Sequence, residues 1–344
     1  MLREIYEQPR AIADTLKETV KEAKEIVRLL NVQNLDMVYF TGSGTSYHAC
    51  LAANYAMSTL TPVFSTNLPA SEFASWAGQT GRKNTILIAI SQSGESTDAL
   101  AAAKSASNSG IRTIGITNSP ESSLVSSTDF SLVSRAGKEL AVTATKSFTG
   151  TLVAAYALVV ELGRIFPSET FNHERLSEML GKTSSQVERT LQLCDKPIRD
   201  LAVKFADREF YFILGSGPNY AAAMEGALKM KESCNVHAEG FATREFLHGP
   251  MQLVEARTPV FILQGLDESE QVTSLEQSFH RFGASTVVIK RADGLPDGVG
   301  VAGDVEEVFS PLVYVIPMQM YSYYSALQRG LNPDHPEKLT KVVK

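Results

Sequence analysis

Short apolar runs rich in β-branched and aromatic residues recur near 36–42, 63–67, 85–91, 112–117 and 130–134, and segments with helical spacing, such as 45–59 and 96–109, lie between them. The runs are continuous rather than alternating, which is the pattern of strands buried on both faces. Strand-like runs alternating with helices predict a parallel α/β sheet covered by helices. Residues 1–32, with "AIADTLKETVKEAKEIVRLL", form an amphipathic helical lead-in. The longest apolar stretch, "TLVAAYALVV" at 151–160, is short of the roughly 20 residues that a membrane span needs.

The pattern is written twice. "MVYFTGSGTSY" at 37–47 aligns with "FYFILGSGPNY" at 210–220, an offset of 173. The same offset carries "ILIAI" (86–90) onto "PVFIL" (259–263) and "RTIGIT" (112–117) onto "STVVIK" (285–290). Three strand-like segments in register at one offset indicate duplicated domains. The expected layout is a lead-in over 1–32, a first domain over 33–165, a linker helix over 166–199, a second domain over 200–330 and a tail over 331–344. The break falls where "FPSETFNHERL" interrupts the pattern and the polar "SEMLGKTSSQVERTLQLC" crosses over.

Composition narrows the function class. With 344 residues, 20% of them charged, and a net charge of -6, the chain has no basic field to draw in nucleic acid. The lysine runs "KETVKEAKE" and "KLTKVVK" read as solvated helix faces. The charged "MLREIYEQPR" start does not read as a secretion signal. Cys50, Cys194 and Cys234 form no CxxC pair, so buried thiols in a reducing cytoplasm are expected rather than disulfides or a zinc site. No membrane partner, metal or cofactor is expected.

In open parallel sheets ligands bind at the carboxyl ends of the strands. "TGSGTSY" (41–47) and "SQSGES" (91–96) both fall there. Gly42, Gly44 and Gly94 let the backbone turn and approach a ligand, and the following helix N-termini offer amide donors. Ser43, Thr45, Ser46, Ser91, Gln92, Ser93 and Ser96 add neutral donors, a set able to hold a phosphate monoester without lysine or arginine. At about 1.5–3 kcal/mol for each hydrogen bond to a charged acceptor, four or five would fix a dianion. The third glycine of a dinucleotide fingerprint is missing, and so is the Gly-Lys-Ser/Thr of a P-loop. The plain alternative is that Ser93 caps a helix and the glycines merely turn the chain. In the second half the offset places "QGLDES" (264–269) opposite "SQSGES", and Asp267 there would repel a phosphate, so one phosphate site per chain is expected.

"AMEGALKMKESCNVHAEGFATREFLHGP" (223–250) follows the second glycine loop. On a helix starting near Asn219, residues Glu225, Lys229 and Glu232 share a face. Spacing alone fits a surface Glu–Lys ladder worth a few tenths of a kcal/mol per pair; against it stands the density of His237, Glu239, Glu245 and His248 just beyond. No HExxH, no deaminase-type PCxxC and no GxSxG elbow is present. What remains is proton transfer by carboxylate, imidazole and amine.

Together "GSGTSY", "SQSGES", "AVTATKSFT" (141–149), "ALKMKE", "VHAEG", "EFLHGP" and "NPDHPEKLTKVV" resemble the sugar isomerase (SIS) family, most closely the isomerase half of glutamine–fructose-6-phosphate aminotransferases. The resemblance implies two tandem SIS domains, each a flavodoxin-like parallel five-stranded sheet flanked by helices. It implies that Thr45, Ser46, Ser91, Gln92, Ser93 and Ser96 hold a sugar 6-phosphate and that Val142 and Thr143 line the sugar. It implies further that Glu232 moves a proton between C1 and C2 with Lys229 beside it, and that Lys341 forms a Schiff base with an open-chain ketose. His248 would open the ring from the partner subunit of a homodimer. Lys146, Glu139, His237 and Glu239 match family patterns with fold support as their expected role.

The chain departs from the aminotransferase pattern. It starts at "MLREIYEQ" without a glutaminase half, Ser43 stands where cysteine is usual, and Leu247 stands where lysine is usual. These departures point to a stand-alone deaminase of glucosamine 6-phosphate or a related amino-sugar phosphate, giving fructose 6-phosphate and ammonia. An isomerase that uses free ammonia or a separate glutaminase subunit, a fructosamine-6-phosphate deglycase and a non-catalytic sugar-phosphate sensor are the alternatives. The gluco or galacto preference and the direction of the reaction are left open.

Overall fold

The computed structural model describes residues 1–78, 83–168, 171–292 and 298–341. The chain divides into two compact units that are interleaved in sequence. An N-terminal unit holds 7–139, 146–184 and 340–344, and a C-terminal unit holds 1–6, 140–145 and 185–339.

The N-terminal unit is built on β1 (Met37–Gly42), β2 (Phe64–Pro69), β3 (Thr85–Ile90), β4 (Arg112–Thr117) and β5 (Phe130–Val133). They pair in the order β2-β1-β3-β4-β5, all parallel. Met37 stands opposite both Phe64 and Thr85, which sets the register at the centre of the sheet. β1 and β3 are buried at every position, and this is why their sequences run apolar without alternation. Helix α1 (Gln8–Leu30) packs on α4 (Lys146–Ile165), and α2 (Thr45–Leu60) packs on α4 as well. On the other side α3 (Thr97–Asn108) closes a core of Tyr39, Phe73, Leu87, Ala102, Ala106 and Leu124, with Tyr39 and Phe73 edge to face at 5.2 Å. Removing a side chain of this size from water is worth about 1.5–3 kcal/mol.

The 151–160 stretch belongs to the longer helix α4, which is long and apolar enough to cross a membrane by length and composition. Nearly all of it is buried in its own unit, however, so its apolar surface is already covered by α1, α2 and the sheet. The polar crossover is two helices, His173–Gly181 and α5 (Thr183–Lys204), rather than one. The first is started by Asn172, whose side chain accepts from the amides of Glu174 and Arg175. Within "FPSETFNHERL", residues 169–170 lie outside the described residues.

The C-terminal unit repeats the plan with β6 (Phe210–Gly215), β7 (His237–Ala242), β8 (Pro259–Leu263), β9 (Ser285–Ala292) and β10 (Val299–Ala302), in the order β7-β6-β8-β9-β10 and all parallel. β7 starts 173 residues after β2, the same offset as β6 from β1, although "FSTNLP" and "HAEGFA" share no visible pattern. Helix α6 (Asn219–Cys234) follows β6, α7 (Ser269–Arg281) follows β8, and α8 (Pro311–Gln328) packs on α6. Two parallel five-stranded sheets flanked by helices match the expected fold class. The run "KETVKEAKE" lies on α1 as expected, but the described part of "KLTKVVK" forms no helix. Its Lys341 is instead drawn to a buried carboxylate, and the last three residues lie outside the described ones.

Candidate functional site

In the N-terminal unit the strand order reverses at β1 and β3, since β2 lies on one side of β1 and β3, β4 and β5 lie on the other. Such a reversal leaves a crevice at the carboxyl ends of the two central strands. "TGSGTSY" leaves β1 there and "SQSGES" leaves β3. Gly42 closes β1 so tightly that a Cβ would meet the Ile90 carbonyl oxygen at 3.0 Å and the backbone of Ser46 at 2.9 Å. Gly44 precedes α2, and the helix starts with no side-chain cap; Thr45 and Ser46 lie half-buried in its first turn, with Ser43 exposed before them.

The second loop is fixed by bonds to the end of β4 and by one of its own hydroxyls. Ser91 N–H donates to Ile116 O at 3.0 Å, Gly94 N–H to Ser91 Oγ at 3.1 Å, and Asn118 N–H to Gln92 O at 3.0 Å. Gly94 has φ +67°, and a Cβ there would sit 2.1 Å from Ser122 Oγ. Ser93 Oγ accepts from Glu95 N–H at 3.2 Å, a turn ahead of the helix, while Ser96 occupies the N-cap position of α3 without a side-chain cap bond. Helix capping therefore does not account for these hydroxyls.

A cavity of about 630 Å³ opens beside this loop, lined by Gln92, Ser93, Asn118, Ser122, Glu139 and Lys341 among others. Sequence reading missed Asn118 and Ser122, which lie on the loop after β4. Their signal was the polar, small-residue run "TNSPESS" at the carboxyl end of a buried strand. Asn118 donates to Gly137 O at 2.9 Å and accepts from Ser134 Oγ and Ala136 N–H, bracing the segment that leads to Glu139. Lys341 Nζ lies 2.7 Å from Glu139 Oε2.

In the C-terminal unit α6 brings three charges together. Lys229 Nζ stands 3.2 Å from Glu225 Oε1 and 2.6 Å from Glu232 Oε2. The Lys229 and Glu225 side chains are fully buried, and Glu232 keeps 21% of its side chain exposed. The surface-ladder alternative is thereby excluded, because α8 and β7 cover this helix. Burial pushes the Lys229 ammonium down, but the two carboxylates outweigh it and leave the group above its ordinary value. Lys229 is thus a fixed cation that holds Glu232 while Glu225 balances its charge.

His248 is exposed on a 3₁₀ turn (Glu245–His248) pinned by fully buried Phe246, whose ring lies 4.9 Å from Phe212 and 5.4 Å from Phe241. It has no hydrogen bond or ion pair with Glu232 among the described residues, and His237 and Glu239 on β7 are exposed. Val142 and Thr143 lie on the 140–145 segment. Glu4 accepts from the amides of Leu140 and Ala141, and Val142 N–H donates to Asp334 O at 3.0 Å. In the loop after β8 a side chain of the protein itself takes the backbone donor: Glu268 accepts from Gly265 N–H at 2.8 Å. Among the described residues no three His, Cys, Asp or Glu side chains converge as a metal-ligand set.

The model of the SIS domain matches residues 32–161, which hold β1–β5, and 204–295, which hold β6–β9. The chain belongs to the SIS family. It is 35% identical to the glutamine–fructose-6-phosphate aminotransferase (isomerizing) of Pyrococcus horikoshii over 350 residues, covering all of this chain and 57% of that protein. The corresponding protein of Gloeobacter violaceus is 36% identical, with 58% of its length covered. This SIS chain thus spans little more than half the length of the curated relatives it matches. Among solved structures, the C-terminal domain of glucosamine-fructose-6-phosphate aminotransferase from Francisella tularensis superposes with a TM-score of 0.87 at 28% identity over 97% of each chain. A glucosamine-6-phosphate deaminase from Thermotoga maritima superposes with a TM-score of 0.77 at 27% identity, over 97% of this chain and 98% of that one.

Proposed function

We propose that this SIS chain is a phosphosugar isomerase that deaminates glucosamine 6-phosphate, or a related amino-sugar 6-phosphate, to fructose 6-phosphate and ammonia. The observation that carries the reading is Glu232: a carboxylate open to solvent on one side and fixed on the other by a fully buried ammonium that a second buried carboxylate neutralises. A base that must shuttle one proton between adjacent carbons needs such a fixed position. The hydroxyl and amide donors of 43–46 and 91–96 bind the phosphate, and Val142 and Thr143 line the sugar. His248 opens the ring and is supplied by a second copy in a homodimer. Glu232 takes the proton from C2 and returns it to C1 while one proton passes from the amino nitrogen to O1, converting the 2-amino aldose to a ketimine. Exchange of that imine onto Lys341 releases ammonia, and water then releases the ketose.

The likeness to the Thermotoga maritima deaminase and the serine at position 43 support this direction. A second reading has its own support in the 35% identity to aminotransferases along the whole chain: the same steps run toward glucosamine 6-phosphate, with free ammonia or a separate glutaminase as the nitrogen source. Assays for ammonia release from amino-sugar and fructosyl-amine 6-phosphates, and for amination of fructose 6-phosphate, separate these directions and the deglycase. Silence in all of them with tight sugar-phosphate binding would indicate a sensor. Glu232→Gln is expected to lower turnover by about 10²–10⁴-fold, the usual range for losing a general base, with sugar-phosphate binding intact. Undiminished turnover would reject the assignment.

A further inference from the structure

An amine that forms an imine must be held at one place, yet Lys341 lies in a tail whose described residues after Leu331 form turns and no helix or strand. What fixes it is a buried carboxylate. The Glu139 side chain is fully buried, whereas Lys341 keeps 26% of its side chain exposed, and their charged atoms are 2.7 Å apart. Glu139 is itself clamped at the start of α4: Oε2 accepts from Ser147 Oγ at 2.5 Å, and Oε1 accepts from Ser147 N–H at 3.2 Å. The carboxylate therefore sits at the positive end of a 20-residue helix. Gln92 and Ser93 of the phosphate loop line the same cavity, together with the charged Glu95, Glu121 and Lys138. Of these, Glu95 is engaged by the amide and hydroxyl of Ser123, each at 2.8 Å.

We propose that Glu139 is the positioning residue for Lys341, docking its amine in the cavity that the phosphate loop lines. The inference rests on the reading of Lys341 as the imine-forming group. The chemistry favours a permanent counter-ion. When an ammonium condenses with a ketose carbonyl, the N–C2 bond forms and the C2–O bond breaks. Two of the three nitrogen protons leave with that oxygen as water, and the third stays on the iminium. One positive charge stands at the same nitrogen before and after, so a single fixed carboxylate serves both states without moving.

The test uses Glu139→Gln and Glu139→Ala in the full chain, with Ser147→Ala as a milder perturbation of the clamp. Borohydride reduction in the presence of fructose 6-phosphate, read by mass at Lys341, is expected to give about tenfold less adduct in the Glu139 variants, as for loss of a charge-assisted hydrogen bond. Protection against thermal unfolding by inorganic phosphate is expected to stay as in the wild type. Separately, Glu139→Asp, which keeps the carboxylate, is expected to recover most of the adduct that the isosteric but uncharged Glu139→Gln loses. A merely structural defect would instead spare Glu139→Gln, which keeps the shape, and penalise the shorter Glu139→Asp. Wild-type adduct levels in Glu139→Gln would overturn the proposal. If the wild type gives no adduct at all, the imine reading falls, and the pairing is then read from tryptic cleavage after Lys341, which Glu139→Gln is expected to speed; an unchanged cleavage rate would overturn it.

Discussion

Lys229 illustrates how one buried charge organises its neighbours. Its ammonium has no route to water, and the cost of burying it is offset by Glu225 and Glu232 on the same helix face. Replacing it by methionine removes the counter-ion of a buried carboxylate, and a loss of about 3–5 kcal/mol of stability is expected. The sign with pH follows from its raised value. The stabilisation is complete below the ordinary lysine pKa of about 10.4 and disappears as pH rises through the higher folded-state value. Denaturation curves of wild type and Lys229→Met should therefore differ at neutral pH and converge in strong alkali. A constant difference at every pH would mean that the charge contributes nothing. The spacing of these three residues was legible in the sequence; their burial was not, because that depends on α8 and β7 lying over the helix.

At the scale of elements, the proposed phosphate loop depends on a contact between two strand ends. Gly94 adopts a backbone conformation that side chains disfavour and abuts Ser122 from the loop after β4. Gly94→Ala would push a methyl into Ser122, so the 91–96 loop is expected to shift and phosphate affinity to fall by about tenfold or more, at a stability cost of about 1–3 kcal/mol. Calorimetric titration with a hexose 6-phosphate measures the first effect and urea denaturation the second; wild-type affinity would show the contact to be dispensable. The glycine was visible as a turn residue from sequence. Ser122 was not, since it lies 28 residues further along the chain and only the β3–β4 pairing brings it close.

On the scale of the whole molecule, duplication produced two sheets of identical strand order with different end loops. The first carries hydroxyls and glycines at its switch point, and the second carries Glu268 bonded to the Gly265 amide. One sugar phosphate per chain is the expected stoichiometry. In titration calorimetry, Ser93→Asp should abolish the binding heat by placing a carboxylate in the donor loop, while Glu268→Gln should leave it unchanged. Two equivalents bound by the wild type, or loss of binding on changing Glu268, would contradict a single site in the N-terminal unit.

The five N-terminal strands, β6, β8 and β9, the repeat and the hydroxyl loops were determined by sequence alone, because strands buried on both faces leave apolar runs and tight turns call for glycine, and both are local marks. In contrast, β7, whose "HAEGFA" is no apolar run, and the short β10 left none. The burial of Lys229, the clamp of Glu139 on Ser147 and Lys341, and the hold of Glu4 on Leu140 and Ala141 were decided only by the tertiary structure. Each joins groups whose partner is set by how helices and tail pack, and a charged residue carries the same letter whether it meets water or a buried counter-ion.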